Sequence, residues 1–358
     1  MFFLEIYNRE WELLDKIYEF GDFTVRKNIN SDGFFQFTIQ IENANEEIIK
    51  RTNFVKLYKT RDNSEYLVFE GMIDVLQGGI SFMTVFCTDL IGYFQYKFAI
   101  NEYGEINRLA NAYLDTVITE LNNDEEIGIT IGENLITDNT RFATQKKETI
   151  LNFIKRLANS VDSEFEILDK KINLKKNVGE DKTGEIQLIY DKDNPSTTNI
   201  SEPQFESNLK NYANWLFVEG NGISTIVFDS NEIYNKGYGK IKKYIRETNI
   251  SDLTALQNYA NSILEKTIKD LSVRDLKVQG LKIEDVGIGD LVYLQIKTGN
   301  KINSFEGITR VMGITLDVKN TYENVDLILS ENIKSIDQSF IGRIRELGDR
   351  VDEIYRNF

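Results

Sequence analysis

The spacing of apolar residues changes along the chain, and the changes divide it. Over residues 1–98 the pattern is that of strands. Phe34-Phe35-Gln36-Phe37-Thr38-Ile39-Gln40-Ile41 is aromatic and β-branched and follows the turn residues Asn30-Ser31-Asp32-Gly33, which predicts a core strand. Further strands are predicted at Val55-Lys56-Leu57-Tyr58, from Phe69 to Val75 and from Met83 to Cys87, with a short helix over 43–51 carrying Ile48 and Ile49. Over 99–200 the period becomes helical: Ile106, Leu109, Ala110, Tyr113, Leu114, Val117, Ile118 and Leu121 lie on one face, and so do Ile150, Phe153, Ile154, Leu157, Ala158 and Val161. Phe165 to Leu168 and Lys171 to Leu174 then form a hairpin across Asp169-Lys170.

Strand character returns after 200. Trp215 to Gly220 and Ser224 to Phe228 face each other across Asn221-Gly222, and a helix from Ser251 carries Leu253, Leu256, Ala260, Ile263, Leu264 and Ile268. Val286-Gly287-Ile288-Gly289-Asp290 turns the chain into Leu291. At the tail, Phe340, Ile344, Leu347, Val351, Ile354 and Phe358 recur at alternating steps of four and three, a seam able to join helices of several copies.

One motif returns. Phe69-Glu70-Gly71 recurs 236 positions later as Phe305-Glu306-Gly307, and at that offset Val55-Lys56-Leu57-Tyr58 falls on Leu291-Val292-Tyr293-Leu294 and Val75 on Val311. Two copies far apart suit two modules that each close on themselves better than a stacked array, which needs at least about three units. The expected fold is α+β, mainly β. Two related β-barrel modules occupy 1–98 and 201–335, the second with a helical insert at 250–271. A small α+β domain is inserted at 99–200, and a C-terminal helix over 336–358 could form a trimeric coiled coil.

Composition removes function classes. A net charge of −15 opposes gripping a phosphate backbone, and the absence of histidine closes Ser-His-Asp and Cys-His catalysis and the common zinc sites. The single cysteine, Cys87, lies in an apolar strand and reads as a buried small hydrophobe. No apolar run reaches the length of a membrane span, and the start at Met1-Phe2-Phe3-Leu4-Glu5 lacks the pattern of a signal peptide, so synthesis in a cytoplasm is expected. Glu70 and Glu306, acids at one place in both repeats, are better explained by duplicated structure than by catalysis. Asp124-Glu125-Glu126 lacks the ligand ladder of a calcium loop, and Gly220-Asn221-Gly222 and Gly237-Tyr238-Gly239 are hairpin glycines rather than phosphate cradles. Trp215 reads as core. No catalytic, cofactor-binding or metal-ligating residue is assigned, and no enzyme activity is expected.

With these residues in order, the chain resembles the tail-hub proteins of long-tailed phages, the tail-associated or tail-endopeptidase-like family, whose hub fold is shared with the spike base of type VI secretion and contractile injection machines. The resemblance rests on Gly33 to Ile39, Val55 to Tyr58, Phe69 to Ile73, the Ile150 helix with the hairpin to Leu174, Asn211-Tyr212-Ala213-Asn214, Val218-Glu219-Gly220, Val286 to Val292 and Phe305 to Ile308. It implies a structural virion protein at the distal end of the tail. There a homotrimer joins a sixfold tail tube to a threefold tip and lets tape measure protein and DNA pass without specific DNA binding. Its implied partners are the distal tail or tail tube protein, the tape measure protein and a tip or receptor-binding protein. Family members often continue into a lytic or receptor-binding region; the sequence stops at Phe358, which favours the hub role alone. The competing readings are a cell-wall glycan hydrolase, a host carbohydrate-binding module and the spike base of a contractile machine.

Overall fold

Alternation along Ser31–Gln40 sets the first sheet face: Phe35, Phe37 and Ile39 point inward and are buried, while Phe34 and Gln40 are exposed. The computed structural model of the chain describes residues 1–98, 109–138, 148–207, 212–298, 305–319 and 322–330, apart from positions 44, 46, 126, 162, 236, 238, 248, 249, 269 and 270. The heptad residues Phe340, Ile344, Leu347, Val351, Ile354 and Phe358 therefore lie outside the described residues.

The first module carries β1 (Phe2–Tyr7), β2 (Leu13–Ile17), β3 (Phe23–Asn28), β4 (Ser31–Gln40), β5 (Phe54–Arg61), β6 (Ser64–Gly78) and β7 (Phe82–Asp89), closed by the one-turn helix α1 (Leu90–Tyr93). The middle holds α2 (Ala110–Glu125), β8 (Thr130–Asn134), α3 (Ile150–Ser160), β9 (Glu164–Leu168) and β10 (Lys171–Lys175). Then come β11 (Gln187–Asp191), β12 (Gln204–Ser207), β13 (Trp215–Glu219), β14 (Ser224–Phe228), β15 (Lys242–Arg246), α4 (Leu253–Ile268), β16 (Leu271–Val278), β17 (Leu291–Lys297), β18 (Phe305–Lys319) and β19 (Tyr322–Ser330). The chain is mainly β with helices, as expected.

Thirteen strands join one sheet in the order β12-β16-β19-β18-β3-β4-β7-β6-β5-β1-β2, with β17 on β18 and β11 on β17. No closed barrel is found among the described residues. Both modules bury their apolar faces in one core, from Leu4, Phe35 and Leu57 to Leu294, Ile314 and Leu327. The join is β3 against β18, antiparallel from Phe23 opposite Val318 to Asn28 opposite Gly313.

The two modules repeat five strands in one order, β3-β4-β7-β6-β5 and β12-β16-β19-β18-β17, antiparallel at every step. The sixth differs: β1 runs antiparallel to β5, whereas β11 runs parallel to β17. The register fixes which residues correspond. Thr52 and Asn53 bond to both backbone groups of Ile73, and Gly289 and Asp290 bond in the same way to Val311. A bulge follows each, with Asp74 as the extra residue of β6 and Met312 that of β18. Val55 thus corresponds to Val292 and Glu70 to Ile308. The Phe-Glu-Gly tripeptides are out of register with the structural repeat: the matching offset is one residue longer on β5 and two on β6. The reason is the period of two, since the offset of 236 would set buried Val55 on half-exposed Leu291 and turn β17 to the wrong face.

The middle packs α2 and α3 on the sheet β8-β10-β9, and its core, built around Tyr113, Phe153 and Leu157, runs on to Phe54 and Leu90 of the first module. Thr149 caps α3 by accepting from the Asn152 N–H at 3.2 Å. Asp169 and Lys170 take positive φ of 46° and 60°, the two-residue hairpin that the sequence announces.

Two expectations change. The Trp215–Phe228 hairpin does not join the main sheet; it pairs with β15 and packs on α4 as a separate unit set between β12 and β16. Only one face of β13 is buried, through Leu216 and Val218, and one amphipathic helix is enough to cover it. A 3-10 turn at Ile41–Asn43 precedes this stretch, and the described residues of 43–51 form turns rather than a helix. The Asn45 carboxamide accepts from the Glu47 N–H and the Asn53 amide donates to the Ile48 carbonyl, side-chain bonds that compete with helical ones.

Candidate functional site at the junction of the modules

The first module, the middle domain and the second module meet around a cavity of about 490 Å³ whose wall includes Lys27, Asp89, Glu166, Glu180, Glu284 and Asp290. Three sets of ion pairs hold this junction, and each begins on a buried cation carried by a strand: Lys56, Lys59 or Arg310.

Lys56 of β5 reaches Glu70 at 3.0 Å and Asp169 at 2.9 Å, while Glu70 also accepts from the Lys170 N–H at 2.9 Å. This ties the first module to the turn of the middle hairpin. Burial alone would lower the Lys56 pKa, but the bonds to Asp169 and Glu70 reverse the shift and raise it. Beside it, the Trp11 ring stacks on Phe54 at 4.1 Å, and its indole N–H donates to the Ile127 carbonyl at 2.8 Å.

Lys59 meets Glu284 at 2.5 Å and Glu323 at 2.7 Å, and Arg61 reaches the same Glu284 at 3.0 Å. Here the first module clasps the second. Burial pushes the Glu284 carboxyl up, yet the bonds from Lys59 and Arg61 leave it below the ordinary carboxylate range.

Arg310 of β18 makes the third set. Its guanidinium grips both oxygens of Glu164 at 2.6 and 2.5 Å and donates to the carbonyls of Gly289 and Val178. Glu164 also accepts from the Val178 N–H at 2.8 Å. Both side chains are buried, so truncating either would leave an uncompensated charge, a loss of about 3–5 kcal/mol in comparable pairs.

Further groups in the wall carry displaced pKa values. Burial pushes the Asp89 carboxyl up to about 7, opposed by N–H donors from Gly92 and Gly33, each at 2.7 Å. Burial pulls Lys27 down to about 8, opposed by Asp89 and Glu166. Asp290 is raised by burial while it accepts from Glu180 and Gly287.

The carboxylates of the junction thus hold lysines, arginines and backbone N–H groups. Glu70 and Glu306, the acids of the repeated tripeptide, are not brought together: Glu70 sits in the Lys56 set, and Glu306 accepts from the Tyr293 hydroxyl at 2.8 Å. Among the described residues no group of acids or cysteine is arranged to hold a metal ion. Cys87 is buried and its thiol is pushed up by burial. Sequence reasoning missed Lys59, Glu164, Glu284 and Arg310. The available signal was a cation inside an apolar strand, as in Val55-Lys56-Leu57, which demands a buried acid from elsewhere.

No protein-family model matches the sequence, and no curated protein matches it. Solved structures do. The tail protein from Neisseria meningitidis MC58 aligns with a TM-score of 0.69 at 13% identity, over 92% of this chain and 96% of that one. The 43 kDa tail protein of prophage MuSo2 from Shewanella oneidensis aligns at 0.66 and 13%, over 92% and 97%. The chain has the fold of these tail proteins. Prophage tail protein gp18 from Listeria monocytogenes EGD-e shares it at 0.64 and 12% identity, over 97% of this chain and 99% of that one. Those alignments cover 92–97% of this chain and so span both modules. Among the described residues no helix is long and apolar enough to cross a membrane.

Proposed function

We propose that the chain is a structural subunit of a phage tail, placed at its distal end, where three copies form a hub ring. The observation that carries this reading is the likeness in fold to tail proteins of prophages over nearly the whole length of both partners. The internal doubling supports the ring. Three copies of a doubled module offer six similar surfaces to a sixfold tube, each module acting as one barrel-like wall segment, while the opposite end stays threefold for a tip. The net charge of −15 suits a passage through which DNA and tape measure protein move without sticking.

The test has two parts. Light scattering on the full chain is expected to give the mass of three copies, and antibody labelling of purified virions is expected to mark the tail tip. A strictly monomeric protein that is absent from virions would sink the proposal.

A further inference from the structure

The repeat contains one strand junction that is made and one that is left open. In the second module the half-strand Gly313–Val318 has β19 on one side and β3 of the first module on the other. Its counterpart in the first module, Val75–Gly78, has β7 on one side and no strand on the other among the described residues. The counterpart of β3 is β12, which pairs with β16 as β3 pairs with β4 and likewise has no strand on its outer side among the described residues. Within one chain, six strands of the sheet path separate these open edges.

The orientation of the backbone fits a missing strand. Gly79 donates to the Phe82 carbonyl on the β7 side, so the N–H groups of Gly78 and Leu76 face the open side. Their counterparts Ile314 and Leu316, paired with β3, are 1% and 0% exposed, whereas Val75, Ile80 and Phe82 around the open edge are 43%, 100% and 55% exposed. An unpaired edge beside exposed apolar side chains is a template for another strand.

We infer that β12 of one copy adds to Val75–Gly78 of the next copy, antiparallel and in the register of the internal junction, which sets Phe205 opposite Gly78, Glu206 opposite Gln77 and Ser207 opposite Leu76. The contact is head-to-tail. Module then follows module with the same strand pairing, once within each chain and once between chains, and the series closes when the rotation closes. This deepens the ring reading above by naming the strands that carry it.

The pair Glu206 and Gln77 corresponds to Arg26 and Thr315, a non-hydrogen-bonded pair whose Cα atoms lie about 4.5 Å apart, close enough for a disulfide. Mild oxidation of the full chain carrying both Gln77→Cys and Glu206→Cys is expected to give covalent dimers and trimers that neither single variant gives. As a second measurement, Gly78→Pro removes an N–H facing the open edge at an exposed position where an added Cβ meets nothing within 4 Å. It is expected to weaken self-association at least tenfold while leaving far-UV circular dichroism unchanged. If light scattering shows trimers but the double variant does not cross-link and Gly78→Pro associates normally, the strand junction is wrong and the ring reading survives. A monomer at every concentration overturns both.

Discussion

Asp89 shows how one residue can make stability depend on pH. Its two oxygens accept from Gly92 and Gly33 where the first module meets the cavity, and burial raises its pKa from 3.8 to about 7. A carboxyl whose folded pKa lies above its unfolded value contributes fully below about 4 and loses that contribution as pH rises through about 7, a change of at most about 4 kcal/mol. Lys27 acts in a separate window. Its folded pKa, lowered to about 8 from 10.5, favours the folded state above about 10.5, and the advantage is lost as pH falls through about 8. Urea midpoints measured from pH 4 to 8 should therefore fall more steeply for the native chain than for Asp89→Asn. That variant should also be weaker at every pH, because one amide N–H would confront a backbone donor. Parallel curves for the two proteins would refute the assignment.

At the scale of elements, the repeat is legible in bonds rather than in letters. The strand-leading positions Thr52 and Gly289 share a positive φ, 77° and 84°, and the same bond to the facing strand. A β-branched residue at such an angle is strained, whereas glycine is not. The sites have diverged for a packing reason: an added Cβ at Gly289 would lie 2.1 Å from the Val178 carbonyl oxygen, where the chain leaves the middle domain. Thr52 is exposed and carries its Cβ at the same backbone angle. Thr52→Gly is expected to change stability by no more than about 1 kcal/mol, relief of strain offsetting the freer unfolded chain. Gly289→Ala should cost more than about 2 kcal/mol, since it adds both strain and a backbone clash. Chemical denaturation of the two variants checks the asymmetry.

For the whole molecule, the single core shared by both modules predicts how the chain unfolds. The β3–β18 junction and the Lys59–Glu284 clasp make each module part of the other's packing. A heat scan is expected to show both modules melting in one transition, with the unit around Leu216 and Leu256 able to melt separately on its own core. A fragment of residues 1–98 should lack a cooperative transition, because it would expose the β3 edge and half of the shared core. Two well-separated transitions assigned to the two modules would contradict this.

The sequence by itself determined what depends on near neighbours. The turns at Asp169-Lys170 and Asn221-Gly222, the strand through Phe35 and Phe37, and the face of α3 from Ile150 to Leu157 follow from turn chemistry and from periods of 2 and 3.6 residues. The repeat was suggested by a tripeptide that falls out of register with the paired strands, so its register was not legible. A tripeptide can match at any offset, whereas strand pairing admits only one that keeps the apolar face inward. Tertiary structure alone decided which strands meet and which charges pair. Thr24 bonds to Asp317 across the module junction, 293 residues away, and Arg310 finds Glu164 across 146. At such separations the partner is chosen by the packing of the whole sheet, and no local pattern in the chain records it.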